Sequence, residues 1–179
     1  DLVLRSARIL MERKKRVQFL VMGYPLAEYP SLAGKMGLSD GVKFSGRVDY
    51  FQAEKFLALG DMAIAPKIAR SEANGKILNY LAMGLPVVCF DREVNQELAG
   101  ECAEYVKFNA SDPLGRTHRF APTFFEKNAE NLARGIERLL EDPARRKELS
   151  EKGRERAVKN FGWEMVARRI LLSYQEILV

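Results

Sequence analysis

The stretch Asn74-Gly75-Lys76-Ile77-Leu78-Asn79-Tyr80-Leu81-Ala82-Met83-Gly84-Leu85-Pro86-Val87-Val88 contains a helix, its stop and the strand that follows. Ile77, Leu78, Leu81 and Ala82 fall on one face at helical spacing, and Lys76, Asn79 and Met83 fall on another. Gly84 suits a left-handed C-cap, and Pro86 cannot continue the helix. The unusual residue is Lys76. A cation in the first helical turn opposes the macrodipole and costs roughly 0.3–1 kcal/mol unless an anion sits there. Unsatisfied N–H groups, a glycine and a lysine together make a phosphate site, and the segment reads as the diphosphate end of a nucleotide site. The plainer reading is a surface helix that binds nothing. The spacing is not that of a P-loop.

Outward from this stretch, helices and strands alternate. A helix over Leu2 to Arg13 leads to the strand Val17 to Met22, and a second helix falls between Pro30 and Met36. Val42 to Gly46 is a strand, Phe51 to Leu59 helical, and Met62 to Ala65 a strand closed by Pro66. After the Lys76 helix come the strand Val87 to Phe90, a helix over Val94 to Ala99 and a last strand, Tyr105 to Phe108. Short, nearly continuous apolar strands between helices predict a parallel sheet covered on both faces. That is a doubly wound, Rossmann-like α/β sheet.

The rest is helical: Phe125 to Leu140, a helix capped by Asp142 with Pro143 at its first position, and Trp163 to Ile177 after a break at Gly162. Asn109 to Thr123 lacks periodicity and reads as a surface loop; its His118 has no partner that would give it a catalytic role. Because the chain opens in a helix rather than a strand, Asp1 reads as a cut through a larger protein.

The 179 residues predict one domain, and 47% hydrophobic with 30% charged residues fits an ordinary globular chain. No apolar run approaches the ~18–20 residues of a membrane span. Cys89 and Cys102 lack metal-ligand spacing, and Cys89 reads as a buried reduced thiol, so the expected setting is cytoplasmic. The net charge of +5 comes with basic residues crowded between Arg145 and Arg169, interleaved with glutamates as on solvated helices. No nucleic-acid-binding module is visible, and no nucleic-acid partner is expected.

Several segments resemble, in order and spacing, the C-terminal, donor-binding half of a GT-B-type retaining glycosyltransferase of family 4. Val42-Lys43-Phe44-Ser45-Gly46-Arg47-Val48 resembles V-x-F-x-G-x-V, and Gly60 to Pro66 resembles A-D-x-x-x-x-P. Gly75 to Val88 resembles K-x-x-E-Y-x-A-x-G-x-P-V-V, with Glu97 matching a glutamate beyond it. Leu139-Leu140-Glu141-Asp142-Pro143 to Phe161-Gly162-Trp163 resembles the tail L-L-x-D-x…F-x-W.

The resemblance implies a single domain over 1–179 that lacks its first strand and the N-terminal acceptor domain. The substrate would be a nucleotide-sugar donor, UDP- or GDP-linked, with no cofactor and no metal. The acceptor glycan or lipid would sit on the missing domain, with peripheral membrane association through a lipid-linked acceptor. Asn74, Gly75, Lys76 and Ile77 would hold the diphosphate, and Asn79, where the family commonly has glutamate, the ribose. Val48, Asp49 and Tyr50 would line the base. The first glutamate of the family's E-x7-E pattern falls at Ser71, beside Glu72, so these two are the candidates for the sugar-contacting, catalytic role. The family's diphosphate-clamping Arg and Lys lie upstream of Asp1, so the isolated chain would be inactive. The alternatives are a non-catalytic nucleotide-binding domain of the same fold and a sugar-nucleotide epimerase. Trp163 is expected to pack the final helix on the domain and Lys67 to be a solvated loop residue, and the plainer reading of Asp49 is a residue that only shapes a turn.

Overall fold

The computed structural model describes residues 2–23, 28–68, 72–110 and 122–177. The strands among these residues are β1 (Phe19–Met22), β2 (Val42–Gly46), β3 (Ala63–Ala65), β4 (Val87–Phe90) and β5 (Ala103–Val106). The helices are α1 (Leu2–Glu12), α2 (Glu28–Lys35), α3 (Ala53–Leu57), α4 (Lys76–Ala82), α5 (Glu93–Ala99), α6 (Pro122–Glu141), α7 (Pro143–Phe161) and α8 (Trp163–Ile177). All strand pairs are parallel. They form two ladders rather than one: β1 pairs with β2, while β3, β4 and β5 make a separate sheet in that order.

β4 explains why its sequence is uniformly apolar. Val88 and Phe90 enter one core with Val106 and the α6 residues Leu132, Ala133 and Ile136. Val87 and Cys89 enter a second core with Ile77 and Leu81 of α4 and Ala157 of α7. Alternate residues thus face opposite layers, and both layers are helical, as a fully covered parallel strand requires. The same first core takes in Phe19 and Val42, so the two ladders share side-chain packing without sharing backbone bonds. Burial pushes the Cys89 thiol up to about 12, helped by the charges of Asp91 and Glu104, so this cysteine is an inert core residue.

α1 lies along α6. Ser6, fully buried between them, donates its one hydroxyl proton to Leu2 O at 2.7 Å, with Ala129 O 3.2 Å from the same oxygen. At the rim Arg13 reaches Glu130 and Glu137, and Lys15 reaches Glu141.

Three departures from the sequence reading stand out. β5 runs Ala103–Val106, two residues earlier than Tyr105 to Phe108, because Phe108 leaves the ladder to pack edge-on against Phe90 at 5.2 Å. Trp163 does not pack onto the domain: it is 88% exposed, and α8 carries no buried residue. The basic residues of α7 are not only a solvated face. Arg146 donates to Leu139 O and Leu140 O, Arg154 to Ala82 O, and Arg156 to Glu97 O and Leu98 O. Each arginine therefore satisfies carbonyls near the C-terminus of another helix (α6, α4 and α5), where a cation is also favoured by the dipole.

The tightest of these caps lies at Gly100, whose φ of +56° ends α5 and whose added Cβ would stand 3.0 Å from the Arg156 guanidinium carbon. Arg156→Met keeps the apolar stem and removes both donors. It is expected to lower stability by about 1–2 kcal/mol, read as a lower urea midpoint with an unchanged slope. An unchanged midpoint would show that water replaces the arginine at no loss.

Candidate functional site

The turn before α4 lies at one end of the three-stranded sheet. It follows the C-terminal end of β3, the end at which open α/β sheets place their ligands. Two polar devices hold it. Lys67, just beyond β3, donates to Ala73 O at 3.1 Å and pairs with Glu72 at 2.9 Å. The Asn74 side chain points inward, donating to Ala65 O and to Asn95 Oδ1, each at 3.3 Å. The Asn74 carbonyl accepts from Ile77 N at 2.9 Å, so the pinned residue also closes the first turn of α4.

On this braced turn Gly75 and Lys76 are exposed. Gly75 is the N-cap of α4 with φ −52° and ψ −23°, and no side chain caps the helix there. Its backbone is already helical, so glycine is not required by conformation. An added Cβ would meet nothing within 4 Å, so the space beside this backbone is open. Lys76 makes no hydrogen bond or ion pair among the described residues. Ile77 is fully buried and anchors the helix in the core shared with Leu81. Asn79 is exposed one turn on, while Ala82, expected on the apolar face, is exposed as well. Gly84 has the left-handed φ of +70° its C-cap position requires.

The structure therefore brings Gly75, Lys76 and Asn79 to one exposed turn and separates Asn74 and Ile77 from it as inward-facing supports. Glu72 is not a free carboxylate: hydrogen bonding and charge from Lys67 hold it below the usual carboxylate range. Lys67, read as a solvated loop lysine, is a brace. Ser71 and His118 lie outside the described residues. Val48, Asp49 and Tyr50 sit on a different loop, after β2. Asp49 caps the short 3-10 turn Tyr50–Gln52 by accepting from Phe51 N at 2.9 Å, which is the turn-shaping role the sequence allowed. Tyr50 is 81% exposed and meets Phe51 edge-on at 5.6 Å, leaving an aromatic pair open to solvent.

Asn95 was missed by sequence reading. Its only trace there is its place four residues before Ala99 on the inner face of α5. Among the described residues no group of three His, Cys, Asp or Glu could hold a metal ion, and no helix is long and apolar enough to cross a membrane.

Parallel strands covered by helices on both faces make a Rossmann-like α/β domain, and its fold matches that of GT-B glycosyltransferases. The chain belongs to the glycosyl transferases group 1 family, which matches residues 1–142. It is 24% identical over 175 residues to an MMP alpha-(1->4)-mannosyltransferase of Mycolicibacterium hassiacum, covering 96% of this chain and 38% of the relative. A phosphatidyl-myo-inositol mannosyltransferase of Propionibacterium freudenreichii is 26% identical over 173 residues, covering 91% of this chain and 40% of the relative. The chain thus spans about two fifths of the length of these curated relatives. In fold it resembles a sucrose-phosphate synthase from Thermosynechococcus elongatus, with TM-score 0.74, 20% identity and coverage of 98% of this chain and 42% of the other. It also resembles Anabaena Alr3699/HepE in complex with UDP, with TM-score 0.72, 16% identity and coverage of 98% and 44%.

Proposed function

We propose that this domain is the donor-binding half of a retaining glycosyltransferase that takes its sugar from a nucleotide-diphosphate donor. The observation that carries the reading is Lys76: an accessible cation without a partner among the described residues, beside an unobstructed glycine, on a turn braced from beneath. A transferred sugar leaves a nucleoside diphosphate behind, and negative charge grows on the departing oxygen in the transition state. A fixed cation placed there stabilises that state more than the bound donor, which is the condition for a faster reaction. Gly75 and Lys76 would face the diphosphate, and Asn74 and Ile77 would support them from below. Asn79 would serve the ribose, and Val48, Asp49 and Tyr50 the base. The exposed Tyr50–Phe51 pair suits stacking on such a base.

Family membership supports sugar transfer, and the UDP-bound relatives in fold support a nucleotide donor. An acceptor glycan or lipid would be held by a further domain of the longer protein. The relative named for phosphatidyl-myo-inositol favours a lipid, and with it a cytoplasmic enzyme working at a membrane surface.

Calorimetric titration of the folded domain with UDP, GDP and ADP tests the reading. Saturable binding of one nucleotide in preference to the other two is the expected result, with UDP the first to try. A folded domain that takes none of the three at millimolar concentration would overturn it.

A further inference from the structure

We propose that Asn95 is a positioning residue of the nucleotide site, acting through Asn74 on the turn that carries Gly75 and Lys76. This rests on the donor-site reading above. Asn95 is 0% exposed and Asn74 3% exposed, so neither amide can be satisfied by bulk water. Asn95 Nδ2 donates to Phe90 O, the last carbonyl of β4, at 2.8 Å, and Asn95 Oδ1 accepts from Asn74 Nδ2 at 3.3 Å. Asn74 Nδ2 also donates to Ala65 O, the last carbonyl of β3. Two side chains thus join the ends of two neighbouring strands to the turn before α4.

The direction of action follows from the bonds. Asn95 is held by β4 and by its own helix, and the Tyr105 hydroxyl donates to Gly100 O at 2.6 Å where that helix ends. Asn74 belongs to the turn itself and reaches the framework through this one amide group. Without Asn95, Asn74 would keep only its bond to Ala65 O and would lie beside an empty space. Of the two polar devices that hold the turn, the one reaching beneath it would be halved, leaving Lys67 and the single Ala65 O bond to place the Lys76 backbone. A buried amide that only fills the core looks different. Asn128, equally buried, bonds Phe124 O in its own helix and the backbone of Asn109, away from the α4 turn.

Asn95→Ala, Asn74→Ala, the double variant and Asn128→Ala, compared in two measurements, test the assignment. Amide hydrogen exchange in the nucleotide-free domain reads Ile77 and Leu78, whose N–H groups close the first turn onto Asn74 O and Gly75 O. Titration with UDP, GDP and ADP reads the site. Asn95→Ala should speed exchange at Ile77 and Leu78 beyond the change in global stability. It should also weaken binding of whichever nucleotide the wild type takes by up to roughly 10-fold, the scale of losing one hydrogen bond between neutral groups. The double variant should bind no more weakly than Asn74→Ala, because both act through one group. Asn128→Ala should lower stability and leave affinity unchanged. Exchange at Ile77 and Leu78 that only tracks global stability in Asn95→Ala, or additive losses of affinity in the double variant, would overturn the assignment. Should the wild type bind none of the three nucleotides, the donor-site reading falls, and the exchange comparison alone still decides whether Asn95 positions the turn. Asn95→Ser, which also falls short of Asn74, repeats both measurements if the alanine variant does not fold.

Discussion

Gly135→Val is expected to lower the stability of this domain by about 3 kcal/mol or more, because no room exists for a side chain where α6 crosses β4 and β5. A Cβ built at Gly135 would stand 2.5 Å from Val106 Cγ1 and 2.9 Å from Val88 Cγ1. Both valines are buried in the core beneath α6 and cannot swing into solvent. Two effects compete in any substitution here. Replacing a mid-helix glycine gains about 1 kcal/mol of helix propensity for alanine. Overpacking a well-filled core costs about 1–3 kcal/mol even for small additions. For alanine the terms nearly offset, leaving a modest loss. For valine two further methyl groups enter the same space, propensity gains less, and the clash wins. Against a total of about 5–15 kcal/mol this is a large fraction of the folding free energy. Urea unfolding of both variants measures it, and Gly135→Ala combined with Val106→Ala supplies the internal check. Removing the nearest methyl should make the pair less damaging than the sum of its parts. A Gly135→Val domain as stable as the wild type would mean that α6 does not sit this close to the sheet.

The second large effect concerns binding rather than folding. Lys76→Ala is expected to weaken nucleoside diphosphate binding by about 10- to 100-fold, corresponding to the roughly 1.5–3 kcal/mol of a hydrogen bond to a charged group. Affinity for the matching nucleoside without phosphates should not change, since Lys76 would touch only the diphosphate. Stability should not change either, because Lys76 is exposed and makes no bond among the described residues that its loss could break. In a protein extended to the length of its relatives, transfer should fall further, by roughly 100- to 1,000-fold in kcat, the scale for removing a fixed donor from a developing negative charge. Calorimetry on the domain and turnover on the longer protein give the two readouts. Equal weakening of nucleoside and diphosphate would place Lys76 away from the phosphates.

The fold was legible wherever the local pattern matched the tertiary environment. Val87 to Phe90 is apolar throughout because helices cover both faces of β4, and its bounds were readable to the residue. Asp142-Pro143 capped α7 as read, with the Asp142 carboxylate accepting from Arg145 N at 2.8 Å. β5 was misread because its first residues, Ala103 and Glu104, carry little strand signal while Lys107 and Phe108 extend the apolar alternation past the last ladder pair, Phe90 with Val106. Trp163 was misplaced because a large aromatic residue on an amphipathic helix signals burial without naming what buries it.

The candidate site was legible in part for the same reason. Gly75 and Lys76 are a local pattern at a helix start, visible in neighbouring residues. Asn74 stands next to them, and proximity in sequence assigned it the same outward role; only the placement of Ala65 O and Asn95 shows that its amide faces inward. The basic run of α7 was read as solvated because the carbonyls that Arg154 and Arg156 cap come from α4 and α5, more than fifty residues earlier.

The helices on the two faces of β4 have a further consequence. Val88 and Phe90 are gripped by α6, while Val87 and Cys89 are gripped by α4 and α7. A slip of one residue along the strand would turn every one of these side chains into the opposite layer. β4 is thereby locked in register, and the Phe90 carbonyl at its end, which receives the Asn95 amide, is locked with it.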